Sequence, residues 1–143
     1  MNIDYTLWQA YLATTFVAVS PEGEIRIRVG KANPSLGELL SRHNVSSWAF
    51  LTAFNPGSRV LLNQEENELR QARLEGDLRV RGYVLFPGVG KSDVSDWPPE
   101  RSVLVLRISQ MEAVRFGKNY KQNAIVVGTA TGVPKLLWTK CSP

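Results

Sequence analysis

The chain has 143 residues, 43% of them hydrophobic and 21% charged, the balance of one folded domain with a core rather than a disordered segment. A net charge of +4 admits an anionic partner, but no Lys/Arg cluster marks a nucleic-acid surface, so charge gives nucleic acid little support. Cys141 is the single cysteine, which rules out an intrachain disulfide and a thiolate zinc site.

Asp4 reads as the N-cap of a short helix ending near Ala13. The same N-terminal stretch lacks the basic start of a signal peptide, and no apolar run reaches the roughly 20 residues of a membrane span. With one cysteine, this points to a soluble protein of the reducing cytoplasm without a membrane partner. Residues 14–19 (TTFVAV) and 24–29 (EIRIRV) flank a Pro21-Glu22-Gly23 turn and predict a β-hairpin, with Arg26 and Arg28 on its wet face. Ser35-Leu36-Gly37-Glu38 has the form of a capping box, with Ser35 capping a helix to about His43. Residues 47–54 (SWAFLTAF) are almost wholly apolar, as a central strand buried on both faces requires.

Asn63-Gln64-Glu65-Glu66 repeats the capping pattern and predicts a helix from Asn63 to Arg81, stopped by Gly82. Glu66/Arg70, Glu75/Arg79 and Asp77/Arg81 are spaced as i,i+4 ion pairs along it. Residues 83–86 read as a short strand, 87–100 (PGVGKSDVSDWPPE) as a long loop and 102–108 as a buried strand. Ser109-Gln110-Met111-Glu112 opens a helix to about Tyr120, and residues 123–128 and 133–139 are two last strands. The order α-β-β-α-β-α-β-β-α-β-β predicts an α/β (α+β) single domain over residues 1–143. It would hold one mixed β-sheet of about 5–7 strands with about 3–4 helices packed on it.

Three loops carry the candidate chemistry. In TAFNPGSRVLLNQEEN (52–67) the residue before Pro56, Asn55, is expected to be extended, its amide free for an Asx-turn. Ser58 and Arg59 are placed to meet an anion beside the helix N-terminus, against which Glu65 and Glu66 argue. Asn63, Asn67 and Arg70 fall on one helix face with Leu74 and Leu78, the pattern of a pocket wall with a polar entrance and equally of a solvated helix start. GVGKS (88–92) imitates a P-loop, but Leu85 stands where the first Gly belongs and no helix follows, so an NTPase site is rejected. Gly88, Gly90 and Lys91 retain a looser anion-binding role beside the alternative of a plain surface loop. Asp93, Asp96 and Glu100 match no metal-binding spacing, so no metal is assigned. Gln122, at the door of the next strand, is a candidate to read a ligand from the sheet's edge.

His43 is the sole histidine, near a helix end, and no G-x-S-x-G elbow is present. An enzyme here would use carboxylates or a metal bound through oxygen, so no catalytic residue is assigned and no cofactor is implied.

Taken together, TAFNPGS, NQEENELRQARLEGDL, PGVG, PPERSVLVLRIS and FGKNYKQNAIVVG resemble the bacterial family named domain of unknown function 3293, over about residues 10–128. The resemblance implies a stand-alone bacterial domain and carries no activity. It singles out Asn55, Ser58, Asn63, Asn67, Gly88, Gly90, Glu100, Ser102 and Gln122. It also implies a Gly immediately before Gln122, where this chain has Lys121. Three roles follow in order. The first is binding of an anionic or nucleotide-like small molecule by the 55–70 region, residues 88–91 and Gln122. The second is a protein-interaction module using Trp97-Pro98-Pro99 and LLWTKC, with no partner identified. The third is an enzyme using Glu100 with Asn55 or Asn67, with or without Mg²⁺.

Overall fold

Alternation along each strand divides the apolar side chains between the two faces of one sheet, and each face buries its share under a pair of helices. A computed structural model of the chain describes residues 5–58 and 61–139. Asp4, Arg59, Cys141 and the side chain of Ser58 lie outside the described residues. The elements are α1 (Tyr5–Leu12), β1 (Thr14–Ser20), β2 (Gly23–Ile27), α2 (Pro34–Arg42), β3 (Ser47–Leu51) and α3 (Gln64–Val80). They continue as β4 (Val84–Ser92), β5 (Glu100–Leu106), α4 (Gln110–Asn119), β6 (Ala124–Thr129) and β7 (Lys135–Trp138), in the order expected from sequence, with one added 3-10 turn at Pro56–Ser58. Among the described residues no helix is long and apolar enough to cross a membrane.

The seven strands lie in the order β2-β1-β4-β5-β3-β6-β7. The sheet expected as mixed pairs antiparallel at every junction. The reason lies in the two helical crossovers. β3–α3–β4 steps over β5, and β5–α4–β6 steps over β3, so each skipped place is filled by a strand of opposite direction. β3-α3-β4-β5-α4-β6 is thus a split βαβ unit in ferredoxin-like order. The β1–β2 hairpin extends it on one side and β7 on the other.

Leu74 and Leu78 of α3 and Ala113 and Phe116 of α4 cover one face, against Ala49, Leu51, Val103 and Val105. The opposite face presents Phe16, Trp48, Phe50, Leu104 and Leu106 to Leu36, Leu39 and Leu40 of α2. α1 lies on this inner face as a partial cover: Trp8 and Tyr11 pack inward, but none of its residues is fully buried. The sheet curls far enough that the Gly30 N–H, just after β2, donates to the Pro134 carbonyl just before β7 at 2.8 Å.

Two predicted caps hold. Asn63 Oδ1 accepts the Glu66 N–H at 2.8 Å, Ser109 Oγ accepts the Glu112 N–H at 3.1 Å, and Gly82 follows α3 at φ +84°. The first cap shifts: Asn33, not Ser35, caps α2 by accepting the Leu36 N–H at 3.1 Å, and Pro34 takes the first helical position, where its missing N–H costs nothing. Of the three expected i,i+4 pairs only Glu75–Arg79 forms, at 3.4 Å. Asp77 accepts instead from the Tyr120 hydroxyl, Arg81 pairs with Glu112 at 2.6 Å, and Arg70 turns to backbone carbonyls.

The largest correction concerns residues 87–92. They are not a loop but the second half of β4, paired with both β1 and β5. Gly88 makes this possible, because a Cβ there would lie 2.7 Å from Phe50 Cζ and 2.9 Å from the Val17 carbonyl oxygen. A glycine-rich stretch expected as a surface loop is glycine-rich because an aromatic ring crosses it.

Candidate functional site

β3 ends at Leu51, yet the chain continues inward through Ala53, Phe54 and Asn55, all buried. Three buried residues outside a ladder need partners for their backbone groups. α3 supplies them from its polar face. Gln71 Oε1 accepts the Ala53 N–H at 2.9 Å, Arg70 Nε donates to the Ala53 carbonyl at 2.7 Å, and Asn67 Oδ1 accepts the Asn55 N–H at 2.9 Å. From the other side Gln122 Nε2 donates to the Phe54 carbonyl at 3.1 Å. Asn123 Nδ2 donates to the Gly57 carbonyl at 2.6 Å, while the Gly57 N–H donates to the Lys121 carbonyl at 2.8 Å. The polar stripe of α3 therefore acts as a side-chain continuation of the sheet. Gln71 belongs to it and sequence reading missed it; its spacing of four from Asn67, in line with Leu74 and Leu78, is the signal that was available.

Asn55 departs from expectation. It adopts φ +46°, the left-handed region, instead of an extended conformation before Pro56. Asn tolerates that region better than most residues, and its side chain is held at long range rather than in a local Asx-turn. Oδ1 accepts from the Leu62 N–H and from Asn67 Nδ2, both at 2.9 Å, and Nδ2 donates to Glu100 Oε2 at 2.8 Å.

That last bond reaches a cavity of about 370 Å³ between α1 and the inner face of the sheet. Tyr11 of α1, Phe16 of β1 and Phe50 of β3 give it an apolar wall, and Trp97, Glu100 and Gln122 stand at its polar side. Glu100, at the start of β5, is the one charged side chain among the described lining residues. Its Oε2 accepts from Asn55 Nδ2 and from the Trp97 indole Nε1, the latter at 3.0 Å. Burial pushes the Glu100 carboxyl above the ordinary carboxylate range, and the two donors oppose that shift without cancelling it. Ser102, also lining the cavity, donates to the Glu100 carbonyl at 2.9 Å and holds the backbone there.

The rim is latched. The Asp93 N–H donates to the Ala13 carbonyl at 2.8 Å, just beyond α1, and Arg28 reaches Asp93 Oδ2 at 2.5 Å. The Arg28 guanidinium, with the Thr15 hydroxyl, holds the Asp93 carboxyl below its ordinary range. Arg28, expected on the wet face of the hairpin, is half-exposed and makes this tie.

Four of the residues singled out from sequence, Gly90, Glu100, Ser102 and Gln122, line the cavity. Asn55 contacts it through Glu100. Asn63 is an exposed cap, and Asn67 and Arg70 serve loop backbone. Gly88 and Lys91 sit in the β4 ladder, so their N–H groups are not arranged as an anion-binding loop, and Lys91 is exposed. Arg59 and the Ser58 side chain lie outside the described residues. Trp97, expected as interaction surface, instead donates to Glu100 and is half-buried. Among the described residues no group of three or more His, Cys, Asp or Glu side chains is arranged to hold a metal ion.

Comparison with curated proteins and with solved structures found no match. A family model described as protein of unknown function, DUF3293, matches residues 51–125, from the last residue of β3 through α3, β4, β5 and α4 to the start of β6, over half of the chain. The chain belongs to that family.

Proposed function

We propose that the protein binds a small molecule in the cavity between α1 and the inner face of the sheet. One observation carries the reading: Gly57, Gly90, Glu100 and Gln122 come from four separate segments and meet around one cavity that holds a partly buried carboxylate. A cavity of about 370 Å³ with an apolar wall and a few converging polar groups has the character of a ligand site. The family resemblance and the single cysteine support a bacterial cytoplasmic setting. Trp97, tied to Glu100, favours a ligand site over a protein-interaction surface built on that residue.

The test is a ligand-observed NMR screen of the purified chain against a fragment library that includes nucleotides, phosphorylated metabolites and divalent cations. Gly90→Leu is the control. A Cβ at Gly90 would meet Phe16 no closer than 3.5 Å, so the first carbon fits and the rest of the side chain occupies the cavity. Hits lost in Gly90→Leu, with the fold retained, support the proposal. Hits that bind Gly90→Leu equally well would refute it.

A second reading makes the same carboxylate a general acid or base. Glu100 lies 2.8 Å from the Asn55 amide, and its raised pKa moves it toward the range in which a carboxyl holds a proton to donate. Turnover abolished by Glu100→Gln while binding persists distinguishes this from binding alone.

A further inference from the structure

We infer that the ligand of this cavity is an organic cation, a protonated amine carried on an apolar or aromatic body, and that Glu100 is its counter-ion. The inference rests on the cavity being a binding site and names the class of molecule it takes.

Charge inside the cavity argues first. Glu100 is the one charged side chain among the described lining residues, and Oε2 takes both of its donors, Asn55 Nδ2 and Trp97 Nε1. Those donors are neutral, so they satisfy hydrogen bonding at one oxygen without neutralising the carboxylate. Among the described residues, the arginines of the surrounding segments are committed elsewhere. Arg101 pairs with Glu68 and with Glu75 at 3.5 Å on the outer side of the sheet, Arg28 holds Asp93, and Arg70 holds the carbonyls of Ala53 and Tyr120. A partly buried carboxylate that no cation among the described residues reaches carries a desolvation cost, and that cost is what raises its pKa. An ammonium group entering the cavity removes it. An anionic ligand adds a second negative charge at low dielectric and increases it.

The walls argue second. Phe16 and Phe50 pack edge to face at 5.3 Å, and Tyr11 and Trp97 complete an aromatic lining beside the carboxylate. Aromatic faces attract cations as well as apolar groups. The cavity thus offers an apolar and aromatic body one side and a cation the other.

Three molecules of matched shape test this: 2-phenylethylamine, 2-phenylethanol and phenylacetate, titrated calorimetrically into the full chain at about pH 7.5, where the amine is protonated. The amine is expected to bind at least about tenfold tighter than the alcohol, the gain of a charge-assisted over a neutral hydrogen bond, with phenylacetate weakest. Glu100→Gln is expected to erase the preference for the amine over the alcohol. The wild-type comparison stands by itself if that variant folds poorly. Binding of phenylacetate or of the alcohol as tightly as the amine overturns the cation and leaves the cavity a binding site. Binding of none of the three, to their solubility limits, overturns both.

Discussion

Asn55 Nδ2 donates to Glu100 Oε2 across 2.8 Å, joining residues 45 positions apart in the chain. The bond ties the chain leaving β3 to the first residue of β5, and so couples the buried polar network of α3 to the cavity carboxylate.

Asn55 does two jobs that substitution can separate: a left-handed backbone at φ +46° and hydrogen bonds to Leu62, Asn67 and Glu100. Asn55→Ala loses both and is expected to destabilise by about 2–4 kcal/mol, from buried partners left unpaired plus the left-handed penalty. Asn55→Gly keeps the backbone and should cost about 1 kcal/mol less. Urea unfolding measures both; identical losses would mean that the backbone conformation contributes nothing.

Glu100 predicts the sign of a pH effect. Partial burial raises its folded pKa above the ordinary glutamate value. Below that value both folded and unfolded states hold the proton and nothing is lost. As pH rises, the unfolded state ionises first, so stability falls until the folded pKa is passed and stays lower above it. Glu100→Gln removes the partly buried charge while its amide oxygen still accepts from Asn55 and Trp97. The variant should therefore gain melting temperature over wild type at pH near 7, and much less at pH near 4. An equal gain at both values would contradict a partly buried, ionising Glu100.

Two glycines of β4 should respond unequally. Gly88→Ala drives a Cβ into the Phe50 ring and the Val17 backbone and is expected to cost about 1–3 kcal/mol. Gly90→Ala meets only ordinary contacts, the nearest at 3.5 Å from Phe16, and should change stability by about 0.5 kcal/mol or less. Thermal unfolding of the pair reads the difference, and equal effects would mean that Phe50 does not cross the strand at Gly88.

Lys121 occupies the left-handed region at φ +58°, at the position where the family resemblance implies a glycine. The backbone conformation persists in a residue poorly suited to it. Lys121→Gly should stabilise by about 0.5–1 kcal/mol, the left-handed penalty less the greater freedom of Gly in the unfolded chain. Lys121→Val should destabilise, and chemical denaturation of the two checks the ordering.

Local signals were legible and long-range ones were not. The caps at Asn63 and Ser109, the Gly82 stop and the burial of β3 all depend on neighbours within a few residues, so their spacing in the sequence carries them. Arg70 and Asp77 show the limit: each has a correctly spaced ion-pair partner on its own helix, and each is taken by a group of the α4–β6 connection. An exposed i,i+4 pair is worth a few tenths of a kcal/mol, less than a buried carbonyl gains from a charged donor.

The sequence by itself determined which elements exist and in what order, because hydrophobic period and capping act within one turn or one strand. Only the tertiary structure decided that residues 87–92 are a strand, that Asn55 is left-handed and that Glu100 faces a cavity. Each of those depends on an atom brought from far along the chain: the Phe50 ring over Gly88, the amide of Asn67 beside Asn55, and α1 over the inner face of the sheet. Side-chain spacing cannot encode such contacts, since they arise when strand order sets which segments meet.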